Sequence, residues 1–228
     1  RLDVVVKYLY ASNLSNGFYK WMYKEHLKVW NNFKEGEKKV FEDFDSAFKS
    51  IIDGPVNEPV PVNPDGHIAN GAHRLAAALY RKRPIYVRDT NSDENYDIRS
   101  DYEYFTGRNL SKTILQRAAL EYAKLKSNSH IICLFPIAHR RMRDVMQIIE
   151  QYSNIFYQST VKLNAIGQLG LMKEIYFVEG WANEEGIKRK GDQCFRGDSE
   201  VTFVLIDAKN LETVKEMKTK IRELFNVG

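Results

Sequence analysis

The residues best suited to chemistry lie between positions 62 and 79, in the stretch VNPDGHIANGAHRLAAAL. Gly71 precedes an alanine-rich run that we predict to be helical, and His73 and Arg74 fall in its first turn. The first amides of a helix lack backbone partners and lie at the positive end of its dipole. Together with two cationic side chains they favour an anion. The stretch therefore predicts a phosphate site at Asn70, Gly71, His73 and Arg74, unless Gly71 only makes a turn and the cations pair with nearby acids.

Acidic residues that could complete such a site follow in residues 89–109, which carry six carboxylates and are predicted to form a loop. Asp97, Asp101 and Glu103 could supply a general base or hold Mg²⁺, which neutralises charge during phosphoryl transfer. In an extended chain Asp101 and Glu103 would face the same way. The alternative is a solvated acidic loop with no fixed geometry.

A second group of cations lies among Gly186, Gly191 and Gly197, at the end of residues 178–196, which we predict to be irregular and basic. Such a loop could bind a second anion, for instance a sugar phosphate, through four side chains: Lys188, Arg189, Lys190 and Arg196. An ordinary basic surface explains the same residues. The run His139-Arg140-Arg141 is a weaker signal, and His26 is interpreted as a satisfied histidine at the surface or the edge of the core.

The elements that must position these residues form two groups. In the first, residues 2–11 suit either a strand or a helix, helices are predicted at 18–33, 40–52 and 111–126, and short strands at 67–69 and 85–87. In the second, strands at 131–135, 155–163 and 200–206 alternate with helices at 137–152, 164–176 and 210–225. Alternation favours some parallel pairing. We predict an α/β (α+β) protein with domains at 1–128 and 129–228.

Composition sets limits on the function. The net charge of +4 over 228 residues is below that of a dedicated nucleic-acid binder, so we expect no nucleic-acid partner. No apolar run reaches the ~18 residues that span a bilayer. Two distant cysteines predict a reducing, cytoplasmic location. The chain begins at Arg1, from which we expect a module of a longer protein whose partners include other domains of the same polypeptide.

Residues 68–79, IANGAHRLAAAL, resemble the ParB/sulfiredoxin fold, in which a strand, a Gly-x-His-Arg-like turn and a helix hold nucleotide phosphates. Residues 59–62 and 84–87 resemble the flanking strands. The resemblance covers roughly residues 40–90 and implies ATP or ADP with Mg²⁺, bound at Gly71, His73 and Arg74. Many members have Asp where this chain has Asn70. The chain also lacks the Gly-Cys turn of sulfiredoxin, and we find no helix-turn-helix of the ParB type.

The kinase-type branch of this fold remains, and in it the resemblance implies a catalytic carboxylate from the first-strand region. Five residues fit that description: Glu35, Glu37, Glu42, Asp43 and Glu58. We take Glu58, with Asp97 and Asp101, as the catalytic candidates. The expected activity is a nucleotide-dependent phosphotransferase acting on a small hydroxyl-bearing acceptor such as a sugar or an amino-acid derivative. The alternatives are a non-catalytic nucleotide-binding switch, a nucleic-acid-associated module, or a silent docking module.

Overall fold

The chain forms two compact units, Arg1–Tyr122 and Ala123–Gly228, in a computed structural model that describes residues 1–31, 38–55, 57–64, 66–90 and 100–225. Helices and short strands occur in both units, which confirms the α/β (α+β) class. In the described part of the chain, no helix is long and apolar enough to cross a membrane.

The first unit is built around a central helix. Its elements are α1 (Leu2–Ala11), α2 (Gly17–Asn31), α3 (Lys38–Asp53), β1 (Val60–Val62), α4 (Ala72–Tyr80), β2 (Val87–Asp89), α5 (Tyr102–Gly107) and α6 (Lys112–Leu125), the last of which runs past the end of the unit. Residues 2–11 form a helix and not a strand because apolar side chains cover almost its whole circumference. One side of α1 packs with α2, α3 and α4, and the other with α2, α5 and α6.

Two short parallel strands, one before and one after α4, flank the turn at residue 71 in sequence. Val60 pairs with Val87 and Val62 with Asp89. The predicted strand at 67–69 is wrong: Ile68 makes only a single antiparallel bridge to Val62. The chain reverses tightly between them, with Gly66 N–H donating to Asn63 O at 2.8 Å, so too few residues remain for a ladder.

The second unit is a three-stranded sheet with helices on its two faces. Its elements are β3 (Ser129–Leu134), α7 (Pro136–His139), α8 (Met142–Tyr152), β4 (Ser153–Lys162), α9 (Ala165–Tyr176), α10 (Glu184–Phe195), β5 (Glu200–Ala208) and α11 (Leu211–Glu223). The strand order is β3-β5-β4, and both pairings are antiparallel. The predicted parallel pairing is therefore wrong, because β5 returns between the two earlier strands in the opposite direction.

The two faces of this sheet pack on different helix pairs. Val204, Ile206 and Ala208 lie under α8 and α11, whereas Val201 and Phe203 lie with α9 and α10. Residues 178–196 are not irregular as predicted, because α10 occupies most of them, beginning at the N-cap Asn183, whose side chain accepts from Gly186 N–H at 2.8 Å. Residues 137–152 are also divided, into α7 and α8.

Candidate functional site

The turn at Gly71 has the backbone that the sequence requires of it. Gly71 is the N-cap of α4 and adopts φ 85° and ψ 24°, the left-handed region that glycine reaches without a steric penalty. The first intrahelical bond runs from Leu75 N–H to Gly71 O at 2.9 Å. The amides of Ala72, His73 and Arg74 precede that bond, and no side chain caps the helix. These three amides are the groups with which a helix N-terminus binds an anion.

The amide of Gly71 itself is already satisfied. It donates to Oδ1 of Asn70 at 2.6 Å. Asn70 therefore supports the turn conformation through its own side chain. A carboxylate at this position, as in many proteins of the ParB/sulfiredoxin type, would accept the same bond but would also bring a negative charge to the turn.

Arg74 lies across the turn and joins it to the predicted catalytic residue Glu58. Its guanidinium NH1 donates to Glu58 Oε2 and to Pro59 O, both at 3.0 Å. A Cβ at Gly71 would lie 3.3 Å from two nitrogens of this guanidinium. The absence of a side chain at Gly71 therefore allows the Arg74 guanidinium to pack closely against the turn. Glu58 is 83% exposed. The structure thus brings together a cation, a solvent-facing carboxylate and the start of a helix.

His73 points away from this surface. Its Nε2 lies 2.8 Å from Tyr23 Oη, and its ring contacts Phe48 and Phe44 at centroid distances of 4.7 and 6.1 Å. Burial lowers the pKa of His73 to about 2, so the imidazole is neutral. The neutral imidazole of His73, which points away from the turn, cannot make the predicted cationic contact with phosphate. His73 can contribute to an anion site only through its backbone amide.

A buried group of charges supports the chain just before Gly71. Arg1 donates to Ile68 O at 3.0 Å and holds both carboxylate oxygens of Asp3, at 2.9 and 2.8 Å. Lys7 donates to the same carboxylate at 2.9 Å. Burial alone would raise the pKa of Asp3, but Lys7 and Arg1 hold it well below its usual range. This network ties Ile68 to α1, and its sequence signal is an acid and a base at i, i+4 in an otherwise apolar helix.

His26 lies in the core and not at its edge as predicted. Its side chain is fully buried, Nδ1 lies 2.7 Å from Tyr23 O, and Nε2 has no hydrogen-bond partner among the described residues. Burial, reinforced by the charge of Lys7, lowers the pKa of His26 to about 3. With Nδ1–H donating to the carbonyl, Nε2 is an acceptor without a donor. Only one of its two ring nitrogens is satisfied by the protein.

The acidic residues after β2 take a different arrangement from the one expected. Asp101 is the N-cap of α5, and its carboxylate accepts from Tyr104 N–H at 2.9 Å. Glu103 falls in the first turn of that helix, so the loop predicted here is wrong for residues 102–107, and the pair is not in an extended chain. Asp97 lies outside the described residues, as do Glu35 and Glu37. Of the three catalytic candidates, only Glu58 is seen beside the turn.

The second predicted anion site is carried by a helix and not by a flexible loop. Lys188, Arg189 and Lys190 lie within α10, and Arg196 is its C-cap, with φ 50°. Gly186 is needed for close packing, because a Cβ there would lie 2.3 Å from Trp181 O. Consecutive side chains on a helix point about 100° apart. The basic residues therefore cannot converge as a glycine loop would allow, and their role in anion binding stays a prediction.

A magnesium ion would have few protein ligands here. Among the described residues, no group of three or more His, Cys, Asp or Glu side chains could hold a metal ion. Protein-bound Mg²⁺ often uses one or two carboxylates together with water and substrate phosphates. Glu58 meets that smaller requirement.

Comparisons of the chain with protein-family models, with curated proteins and with solved structures find no match.

Proposed function

We propose that this protein is a nucleotide-dependent phosphotransferase of the kinase type, in which the turn at Gly71 holds the phosphates of ATP or ADP. The acceptor is a small hydroxyl-bearing molecule such as a sugar or an amino-acid derivative. The resemblance of residues 68–79 to the ParB/sulfiredoxin fold suggested this activity. These substrates are also consistent with a cytoplasmic location.

The observation that carries the proposal is the ion pair between Arg74 and Glu58 at the start of α4. Phosphoryl transfer requires positioned positive charge for the phosphate oxygens and one carboxylate to accept the proton of the attacking hydroxyl. Arg74 and Glu58 offer these two groups 3.0 Å apart. The three uncapped amides of α4 add donors beside the cation.

The same pair suggests how binding prepares the reaction. A phosphate at the helix N-terminus attracts the Arg74 guanidinium, which forms bidentate bonds with phosphate. Glu58 then loses its partner and turns to the acceptor hydroxyl, from which it takes the proton. Asn70 keeps the turn closed by holding the Gly71 amide. Mg²⁺, when bound with the nucleotide, would neutralise phosphate charge, and Glu58, beside the turn, could contribute to holding it.

Binding can be tested by titrating ATP, ADP and CTP, each with Mg²⁺, into the native chain and into Arg74→Ala in a calorimeter. A charge-assisted contact to phosphate is worth about 1.5–3 kcal/mol, so we expect the variant to bind at least about tenfold more weakly. Arg83→Ala is the matched control, because Arg83 is an exposed arginine just beyond the end of α4. Equal binding by the native chain and Arg74→Ala would refute the proposed site.

Chemistry is tested separately from binding with Glu58→Gln. Phosphorus NMR with a panel of sugars and amino acids should show a new phosphate ester with the native chain. Glu58→Gln should retain nucleotide binding and lose ester formation by about 100-fold or more, since a general base contributes on that order. Nucleotide binding without ester formation across the panel would instead favour the non-catalytic switch.

A further inference from the structure

A line of polar side chains crosses β4, β5 and α7 in the second unit. Thr160 Oγ1 lies 2.7 Å from Thr202 Oγ1, and Thr202 Oγ1 lies 3.1 Å from His139 Nε2. On the other side of the imidazole, Nδ1 lies 4.0 Å from Glu200 Oε2. Lys162 Nζ is 3.4 Å from the second oxygen of that carboxylate.

The sheet register explains why these residues meet. Thr160 is directly opposite Thr202, and Lys162 is directly opposite Glu200, so all four side chains lie on one face of the sheet. The same face of β5 is apolar from Val204 onward, where α8 and α11 cover it. It becomes polar at Thr202 and Glu200, where His139, at the end of α7, lies over it.

One end of this line of side chains is exposed to solvent and its middle is buried. Thr202 is buried, with 4% of its surface exposed, whereas Thr160 is exposed at strand β4. The side chain of His139 is 21% exposed. A hydrogen-bonded chain therefore runs from a solvent-facing hydroxyl, through a buried hydroxyl, to an imidazole that has a carboxylate behind it.

We propose that Thr202 and His139, with the Glu200 carboxylate near the imidazole, act as a proton relay that makes the Thr160 hydroxyl a nucleophile toward activated acyl esters. In the tautomer with its proton on Nδ1, facing Glu200, His139 accepts from Thr202 and Thr202 accepts from Thr160. Nucleophilic acyl transfer uses a hydroxyl that a histidine deprotonates, and the negative charge of Glu200, 4.0 Å from Nδ1, favours the imidazolium that forms. The site lies in the second unit and does not depend on the proposed phosphotransferase.

The acyl transfer requires no reactant besides the ester. Thr160 Oγ attacks the carbonyl carbon of the ester, and the bond from that carbon to its leaving oxygen breaks. The Thr160 proton passes to Thr202 Oγ, whose own proton passes to His139 Nε2. The imidazolium then releases a proton to the departing alkoxide or to water. Lys162, two residues from Thr160 on the same face, provides positive charge for the oxyanion that forms at the carbonyl.

The experiment treats the full chain with p-nitrophenyl acetate, follows release of p-nitrophenolate, and locates the acetyl group by tandem mass spectrometry. We expect one acetyl group on Thr160, removable by hydroxylamine as an ester is. Thr160→Val should abolish this labelling and Thr160→Ser should retain it. His139→Gln and Thr202→Val should each slow acetylation of Thr160 by about 100-fold. The rate with the native chain should fall at acidic pH, and that acidic limb should be missing in His139→Gln.

The controls separate a relay from general surface reactivity. Thr219 is a helical threonine whose hydroxyl donates to Lys215 O, and Thr219→Val should acetylate Thr160 at the native rate. Circular dichroism and unfolding of each variant establish that it is folded. Unchanged labelling in Thr160→Val, acetylation confined to lysines and resistant to hydroxylamine, or the same rate and pH profile in folded His139→Gln would overturn the proposal.

Discussion

Gly71 illustrates how much of the turn depends on one absent side chain. An added Cβ would lie 3.1 Å from Val60 Cγ2 and 3.3 Å from the Arg74 guanidinium, at a residue whose φ of 85° already disfavours any other amino acid. Both effects act on the same surface, because the clash with Arg74 moves the cation that we assign to phosphate. Stability and nucleotide binding are therefore coupled at this residue.

We expect Gly71→Ala to lower the free energy of unfolding by about 1–3 kcal/mol, from the left-handed backbone and the close contacts. Urea unfolding followed by circular dichroism measures this. Gly17→Ala is the control in the same unit, since a Cβ at Gly17 would meet no atom within 4 Å, and it should change stability by no more than about 0.5 kcal/mol. Equal stability of Gly71→Ala and the native chain would contradict the backbone assignment.

His26 and His73 make the first unit sensitive to acid. Burial lowers the pKa of both side chains, to about 3 and about 2, whereas an unfolded histidine titrates near 6.5. Below that value the unfolded chain binds protons that the folded chain excludes, so stability must fall as the pH falls. The direction is the one expected for a neutral histidine held in a core.

Stability should therefore decline as the pH falls below about 7, by up to about 1.4 kcal/mol per pH unit for each of these histidines. Urea unfolding at pH 7, 6 and 5 measures the slope. His26→Gln should remove about half of it, and His67→Gln, at an exposed histidine, should leave it unchanged. A free energy of unfolding that is the same at pH 7 and pH 5 would show that the two imidazoles are not buried as described.

Among the secondary-structure elements, α5 has Asp101 as its N-cap, a residue that we predicted to be catalytic. Its carboxylate accepts the Tyr104 amide and begins α5, which contributes Phe105 to the core beside α1 and α6. The bond from the Tyr104 amide engages Oδ1 of this carboxylate. Asp101 therefore has a structural role, as the N-cap of a helix in a stretch that we predicted to be a loop.

Replacing Asp101 should lower stability unless the new side chain can also accept the hydrogen bond from the Tyr104 amide. We expect Asp101→Ala to lower the free energy of unfolding by about 1 kcal/mol, and Asp101→Ser to restore most of it, since serine is also a good N-cap. Both variants should form phosphate ester at the native rate. An Asp101→Ser protein as stable as the native chain but inactive would instead make Asp101 a catalytic base.

Over the whole molecule, the two units have separate hydrophobic clusters. Among the described residues, two clusters lie within the first unit and two within the second, and a unit with its own core can fold by itself. Residues 123–228 expressed alone should therefore unfold in a single cooperative urea transition, with dispersed amide signals in NMR. A broad transition with collapsed amide dispersion would show that this unit depends on the other.

Much of the fold was predictable because helices and strands leave local periodic patterns. The helices around Trp21, Phe48 and Leu115 and the strands around Ile132 and Val204 lie where apolar spacing indicates them. The predictions were wrong where an N-cap or a tight turn, and not the apolar spacing, decided the local structure. Asp101 and Asn183 are N-caps that begin helices inside stretches read as loops, and residues 67–69 are too close to their partner to form a strand.

The sequence by itself determined the turn. A glycine, which can adopt a positive φ, the asparagine before it and the alanine-rich helix after it are all local features. The tertiary structure alone decided which way the side chains beside it point. Tyr23 of α2 and Phe48 of α3 pack against the partly buried ring of His73. Glu58, sixteen positions before Arg74 in sequence, meets its guanidinium at the surface. The antiparallel placement of β5, which aligns Thr160 with Thr202, is likewise tertiary. Such contacts join residues far apart in sequence, and no local periodicity encodes them.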